Sequence, residues 1–204
     1  MIRLEVLVEE PSAEAALRYL LPRLVVGRAR ARVVDFGSKY ALLKVLEARL
    51  RAYRRRVDGG EDIRLVVLVD RDADDCERLK ARLERSAATA GLPTKTRPDG
   101  HGVFLVVNRI VVEELESWFI GDSAALRAAF SSLPPIDPSK GIFRNPDNGG
   151  SWEQLHRLLR RHGVYRGSYP KIEAARRIAR HMEPAANRSV SFRHFVAGIE
   201  ALLA

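Results

Sequence analysis

Apolar residues fall into short blocks separated by charged and turn-forming residues, and their spacing switches between the period of a strand and that of a helix. Residues 2–8 alternate apolar and polar before turning apolar, as a strand entering a sheet does. Residues 31–36 read as a second strand broken by Gly37, and residues 63–69 run almost without a polar break, the mark of a strand buried on both faces. A further buried strand is expected at 103–107. Between them lie amphipathic stretches. Residues 13–25 place Ala16, Leu17, Leu20, Leu21 and Leu24 on one stripe, with Ser12 as a cap. Residues 40–57 turn Leu42, Leu43, Val45, Leu46, Leu50 and Tyr53 inward and end in Arg54-Arg55-Arg56, where cations suit the negative helix end. Residues 74–90 bury Leu79 and Leu83, Gly91 and Pro93 stop that helix, and a short edge strand is expected near 94–97. Residues 108–122, NRIVVEELESWFIGD, read as a helix with Leu115, Trp118 and Phe119 on its packing face and at least one of Glu113, Glu114 and Glu116 turned elsewhere, toward a crevice.

Strands alternating with helices over the first 120 residues predict an α/β fold with a mainly parallel sheet flanked by helices. The rest changes character. Loop punctuation at 134–138 and 145–150 precedes helical segments: residues 151–154 fit a capping box, Pro170 suits a helix start, and Ser191 suits a cap for a last helix through Leu203. The expected division is an α/β metal-binding domain over residues 1–122, with residues 123–204 as a helical C-terminal region packed on it.

Composition narrows the class. Apolar content of 46% with 30% charged residues describes a soluble globular chain whose longest apolar runs are far too short to span a bilayer. The chain starts in a charged strand and not in a signal-peptide pattern, so a cytoplasmic location without membrane contact is expected. The single cysteine, Cys76, excludes an internal disulfide and argues against a structural zinc site; it is expected to pack as a small buried group. None of His101, His156, His162, His181 and His194 has zinc-ligand spacing. Thirty-five Lys and Arg against 26 Asp and Glu give +9, a surplus that attracts polyanions, although an Arg-rich helix face can equally be plain solvated surface.

The candidate chemistry sits on strand ends. The strand at 63–69 delivers Asp70-Arg71-Asp72 to its carboxyl end, where the ligand crevice of an open α/β sheet lies, and D-x-D spacing sets both carboxylates on the same side of the departing chain. Hard cations such as Mg²⁺ take such oxygens. Asp70, Asp72, Asp74 and Asp75 can alternatively cap the next helix, but a cap accounts for one or two acids and not for D-x-D on a buried run. Glu9/Glu10, Asp70/Asp72 and Glu114/Glu116 each follow an apolar segment of the same expected sheet. Parallel strands would bring them to one rim, where four or five carboxylates cannot stay ionised without cations, so bound Mg²⁺ or Mn²⁺ is expected. Ions held this way activate water and stabilise charge on a phosphodiester.

The pattern resembles the Toprim domain shared by topoisomerases, primases and overcoming-lysogenization-defect (OLD) family nucleases: Val8-Glu9 after the first strand, Asp70-Arg71-Asp72 after a later one, and Glu114-Leu115-Glu116 downstream. VEEPSAEAAL, ELESWFIGD, and YPKIEAARRIA followed by SVSFRHF resemble more closely the Toprim-like family called domain of unknown function 4276, over nearly the whole chain. The resemblance implies a Toprim-like sheet with Glu9 as metal ligand or general acid/base, Asp70 and Asp72 as metal ligands, and Glu116 and Glu114 as ligands of a second metal. It also implies Lys171 as a cation at the scissile phosphate, against the plainer reading of a solvated helix-start lysine. Relatives usually have Gly after the first Glu; here Glu10 stands there, so either Glu9 or Glu10 can face the metal. Ala13 occupies a position where relatives often have an acid.

The expected function is a Mg²⁺- or Mn²⁺-dependent nuclease acting on DNA or RNA. Resemblance to families encoded beside ATPases implies an ATPase partner in an anti-phage system. A chain of this size has no room for a topoisomerase's strand-holding domain, and one cysteine is too few for a primase's zinc module. The alternatives are a non-catalytic Toprim-like binding or adaptor module and a small-molecule phosphohydrolase.

Overall fold

Four strands, β1 (Ile2–Val8), β2 (Ala29–Asp35), β3 (Ile63–Asp70) and β4 (Val106–Val111), form one parallel sheet in the order β2-β1-β3-β4. The computed structural model describes all 204 residues. From β1 the chain first moves outward to β2 and then crosses to β3 on the other side, so the strand order reverses between β1 and β3. In open α/β sheets ligands bind in the crevice beyond the strands' carboxyl ends at such a switch point. Register sets those ends level: Val8 lies beside Leu68, and Asp70 beside Val111.

Period-two alternation splits the apolar strand residues between two cores. Leu4, Val6 and Val8 of β1, with Val66 and Leu68 of β3, face a cluster of 36 buried residues. That cluster draws on α1 (Pro11–Leu24), α4 (Glu116–Ile120), α5 (Ser123–Ala129), α6 (Ser151–Arg161), α7 (Lys171–Ala179) and α8 (Val190–Leu203). Leu7 of β1 and Ile63, Leu65, Val67 and Val69 of β3 face a smaller cluster built on α2 (Lys39–Asp58) and α3 (Cys76–Thr89). The helices beyond residue 122 therefore share one core with the sheet and α1. Trp118 pins α8 in place: its ring meets Phe192 edge-on at 5.0 Å and Phe195 at 4.9 Å, and its indole N–H donates to Ser191 Oγ at 3.1 Å. Gly198 lets α8 cross β4 closely, since a Cβ there would lie 2.8 Å from Val107 Cγ1. No helix is long and apolar enough to cross a membrane.

Several local expectations shift. The fourth strand runs over Val106–Val111 and not 103–107, because Val106 to Val111 continue the pairing with Leu65 to Asp70. The helix expected over 108–122 shrinks to α4, since Asn108 to Val111 belong to the sheet. The edge strand near 94–97 is only a bridged turn from Thr94 to Arg97. Cys76 is exposed and not buried, because it opens α3 on the solvent side. Ser12, Ser151 and Ser191 do not occupy N-cap positions: α1 is entered from Glu10, α6 from a left-handed Gly150, and Ser189 caps α8 by accepting the Phe192 N–H.

Candidate active site

Glu9 is the first residue past β1, and its carboxylate Oε1 accepts the backbone N–H of Asp70 at the end of β3. Asp70 shares the strand face of Val66 and Leu68, which turns it toward the larger core, and its Oδ2 accepts the Leu115 N–H at 3.2 Å. Main-chain pairing continues beyond the strands, with Arg71 N–H donating to Val111 O at 2.9 Å and Asp72 N–H to Glu113 O at 3.0 Å. The segment after β4 is thereby fixed against the tip of β3, and α4 starts there with Glu116 fully buried. Neither Glu116 oxygen has a hydrogen-bond partner. The buried Tyr169 hydroxyl also lacks one: it feels the Glu116 charge but lies outside normal hydrogen-bond geometry. Lys171 opens α7, and its Nζ lies 3.7 Å from Glu10 Oε2. That opposition follows from α1 packing on α7, where the Arg23 guanidinium donates to the carbonyls of Met182 at 2.6 Å and Ala179 at 3.0 Å.

Burial and mutual repulsion govern the charges. Burial pushes Glu9 up to about 7, against the pull of the Asp70 N–H and Lys39 and with a further push from Asp72 and Glu10. Asp70 is raised well above the ordinary carboxylate range by burial first, then by Glu9, Glu10 and Glu116. Glu116 rises to about 7 by burial, with Lys171 opposing and Glu10 and Glu114 adding. Burial and the Glu116 charge raise the Tyr169 phenol well above its usual value. Burial disfavours the Lys171 cation, but Glu116, Glu10, Glu114 and Asp70 outweigh it and leave that pKa above normal. One ammonium thus sits among four carboxylates.

Of the residues singled out from sequence, Glu9, Asp70, Glu116 and Lys171 gather at this rim. Asp72 does not stay on Asp70's side as D-x-D spacing led one to expect. Its backbone turns into the left-handed region, φ +49°, and its exposed carboxylate pairs with Lys39 Nζ, which also meets Asp74 at 3.0 Å. Glu114 accepts the Ser151 hydroxyl and the Trp152 N–H, both at 3.1 Å, so it caps α6 from outside. Burial first raises its pKa. Glu10, the expected alternative to Glu9 as the acid facing a metal, lies at the rim as well, and Tyr169 and Lys39 belong to the site although no role was expected of them. Glu10 was signalled by its place beside Glu9 and Tyr169 by its place two residues before Lys171, whereas nothing local marked Lys39. No three His, Cys, Asp or Glu side chains are arranged to hold a metal ion directly.

A parallel sheet with buried acids beyond its carboxyl ends, set at the switch point, defines an α/β protein with a carboxylate site. The chain belongs to the family described as Domain of unknown function (DUF4276), whose profile matches residues 8–200. A solved structure, the "C-terminal region of the Xanthomonas campestris pv. campestris OLD protein", aligns with 98% of this chain and 95% of its own, at 16% identity and a TM-score of 0.49. No curated protein matches the sequence.

Proposed function

We propose that this chain is a divalent-metal-dependent nuclease that hydrolyses phosphodiester bonds of DNA or RNA at the rim formed by Glu9, Glu10, Asp70 and Glu116. The observation that carries the reading is Glu116, a fully buried carboxylate with both oxygens unpartnered, facing other acids and one lysine. A buried acid without donors is costly unless a proton or a cation joins it. The donor chemistry suits Mg²⁺ or Mn²⁺, which take carboxylate oxygens and, in nucleic-acid enzymes, commonly keep several waters and use only one or two carboxylates plus substrate phosphate. Asp70 and Glu116 are the residues that would hold the ion, with Glu9 beside them. When bound, the cation supplies Lewis acidity toward the phosphodiester oxygens.

The chain's own groups supply the rest. Glu9, held at the end of β1 by accepting the Asp70 N–H, is placed to take a proton from water and return one to the leaving oxygen. Lys171 offers positive charge for the phosphate, and the Tyr169 hydroxyl, unpartnered, is free to donate. The test is Asp70→Asn against labelled DNA and RNA in Mn²⁺. Wild type should cut and the folded variant should be slower by at least about a hundredfold, as for other groups that stabilise the transition state electrostatically. Equal cutting rates would remove the assignment.

One observation favours a non-catalytic adaptor instead, namely that no three acids converge on a single ion position. An adaptor would show no thermal stabilisation by Mn²⁺, and a nuclease would.

A further inference from the structure

Beside the acid rim, on the opposite face of the sheet, a cleft of about 700 Å³ opens between α2 and α3. We propose that this cleft is the track for a single-stranded stretch of DNA or RNA, with Arg78 and Arg82 on its phosphates and Tyr40 stacked on an unpaired base. The proposal rests on the nuclease reading above and adds to it the strandedness of the substrate and the residues that grip it.

The charges inside the cleft are sorted. At the end nearest the rim, Lys39 pairs with both Asp72 and Asp74 and offsets one of their two charges, and the Asp75 carboxylate caps α3 by accepting the Arg78 N–H at 2.8 Å, so the acids are gathered at that end. Further along α3, Arg78 and Arg82 line the cleft, and neither guanidinium has a hydrogen-bonding or acidic partner in the protein. They stand one helical turn apart on one face, with Cβ atoms about 5–6 Å from each other, a spacing suited to neighbouring phosphates. Four other arginines of the first three helices are spent on ion pairs, Arg18 with Glu14, Arg51 with Glu47, Arg54 with Asp58 and Arg56 with Glu61. Unpaired guanidiniums lining a concavity are the usual means of holding phosphate oxygens.

The facing wall carries Tyr40, 76% exposed in the first turn of α2. An aromatic ring left in water beside cations is the platform on which single-stranded binding proteins stack bases, and every base offers a face to it. A cleft of this volume, in the range that holds a drug-sized ligand, takes a nucleotide or two and not both strands of a duplex. Asp72 joins the cleft to the catalytic rim, since it lines the cleft and its charge reaches Glu9. A strand held by Arg78 and Arg82 would therefore lead its phosphodiester toward Glu9 and Asp70.

The experiment is fluorescence anisotropy with a labelled single-stranded 12-mer in EDTA, so that binding is read without cleavage, with thermal unfolding confirming that each variant is folded. Arg78→Gln/Arg82→Gln should weaken binding at least tenfold, and the slope of log affinity against log salt should fall by about 1.4, at about 0.7 per phosphate contact. Tyr40→Ala should weaken binding about tenfold and Tyr40→Phe should restore it. Arg157→Gln/Arg161→Gln on α6 should leave binding unchanged. The proposal is overturned if the cleft variants bind like wild type, if the α6 variant loses as much, or if a duplex or a mononucleotide competes as well as the 12-mer. Cleavage in Mn²⁺ separates the two readings. Wild type that binds through the cleft but never cuts leaves the cleft standing and removes the nuclease. Wild type that cuts, with KM unchanged in Arg78→Gln/Arg82→Gln, does the reverse.

Discussion

The Glu9 carboxylate accepts the backbone N–H of Asp70, joining the tips of β1 and β3 at the point where strand order reverses. This leaves the Asp70 side chain free to accept from Leu115, and so the first acid, the second acid and the segment leading into Glu116 form one connected unit. A parallel sheet alone would only bring strand ends near each other. The hydrogen bonds decide which carboxylates face which.

The first consequence is a pH dependence. Glu9 and Glu116 have folded-state pKa values of about 7, above the ordinary 4.5. Between those values the folded chain holds protons that the unfolded chain has released, so stability is fully present below pH 4.5 and is lost as pH rises through 7. Each shift corresponds to about 3 kcal/mol at most. Thermal unfolding of the metal-free protein should give a higher Tm at pH 5 than at pH 8, by several degrees at about 2–4 °C per kcal/mol. Glu116→Gln should flatten that slope. A Tm rising steadily from pH 5 to pH 8 would contradict the proposed burial of these acids.

Metal addition should reverse the effect. At pH 7.5 a saturating cation, at about a hundredfold excess over Kd, stabilises the folded state by about 2.7 kcal/mol. Calorimetry with Mn²⁺ should then show a Tm increase of about 5–10 °C, accompanied by proton release as Glu9, Asp70 and Glu116 ionise. Asp70→Asn should remove both signals, and EDTA should abolish them in wild type along with nucleic-acid cleavage.

Two acids of one short motif should behave oppositely. Glu114 caps α6, so Glu114→Ala removes acceptors for the Ser151 hydroxyl and the Trp152 N–H and should cost about 1–2 kcal/mol in urea unfolding. Its effect on Mn²⁺ affinity should be small. Glu116 has no partners to lose, so Glu116→Gln should be neutral or stabilising in metal-free protein at pH 8 while Mn²⁺ binding falls at least tenfold. Equal effects on both readouts would mean that the two side chains share one role.

Much of this organisation was legible from residue pattern. The unbroken apolar run ending at Asp70 required a central parallel strand, and the acids after β1 and β3 had to emerge at the same rim once those strands paired. The third acidic segment was harder. Val106 to Val111 is apolar enough to extend the sheet, yet its charged neighbours mimic an amphipathic helix, so the β4 to α4 boundary was placed too early. The left-handed turn at Asp72, which separates it from Asp70, has no signature in D-x-D spacing. Lys39 was invisible because its partners Asp72 and Asp74 lie more than thirty residues away. Lys171 was legible only through motif resemblance, since its position depends on α7 packing against α1.

Lys171 offers the sharpest test of electrostatics at the rim. It lies 3.7 Å from Glu10 and holds the Glu116 pKa down against burial. Removing its charge in Lys171→Met therefore raises the acid pKa values further, and a cation must displace protons that are held more tightly. The pH at which Mn²⁺ binding is half complete should move upward, and the rising limb of the pH profile for cleavage should move with it. A smaller displacement is expected for Lys171→Arg, which keeps the charge but changes its shape. A merely solvated lysine at the start of α7 would leave both profiles where they are and change only stability, by no more than a few tenths of a kcal/mol at a surface position. Titrating Mn²⁺ binding from pH 5.5 to 8.5 for the three proteins separates these cases, and an unshifted midpoint in Lys171→Met would return Lys171 to the surface.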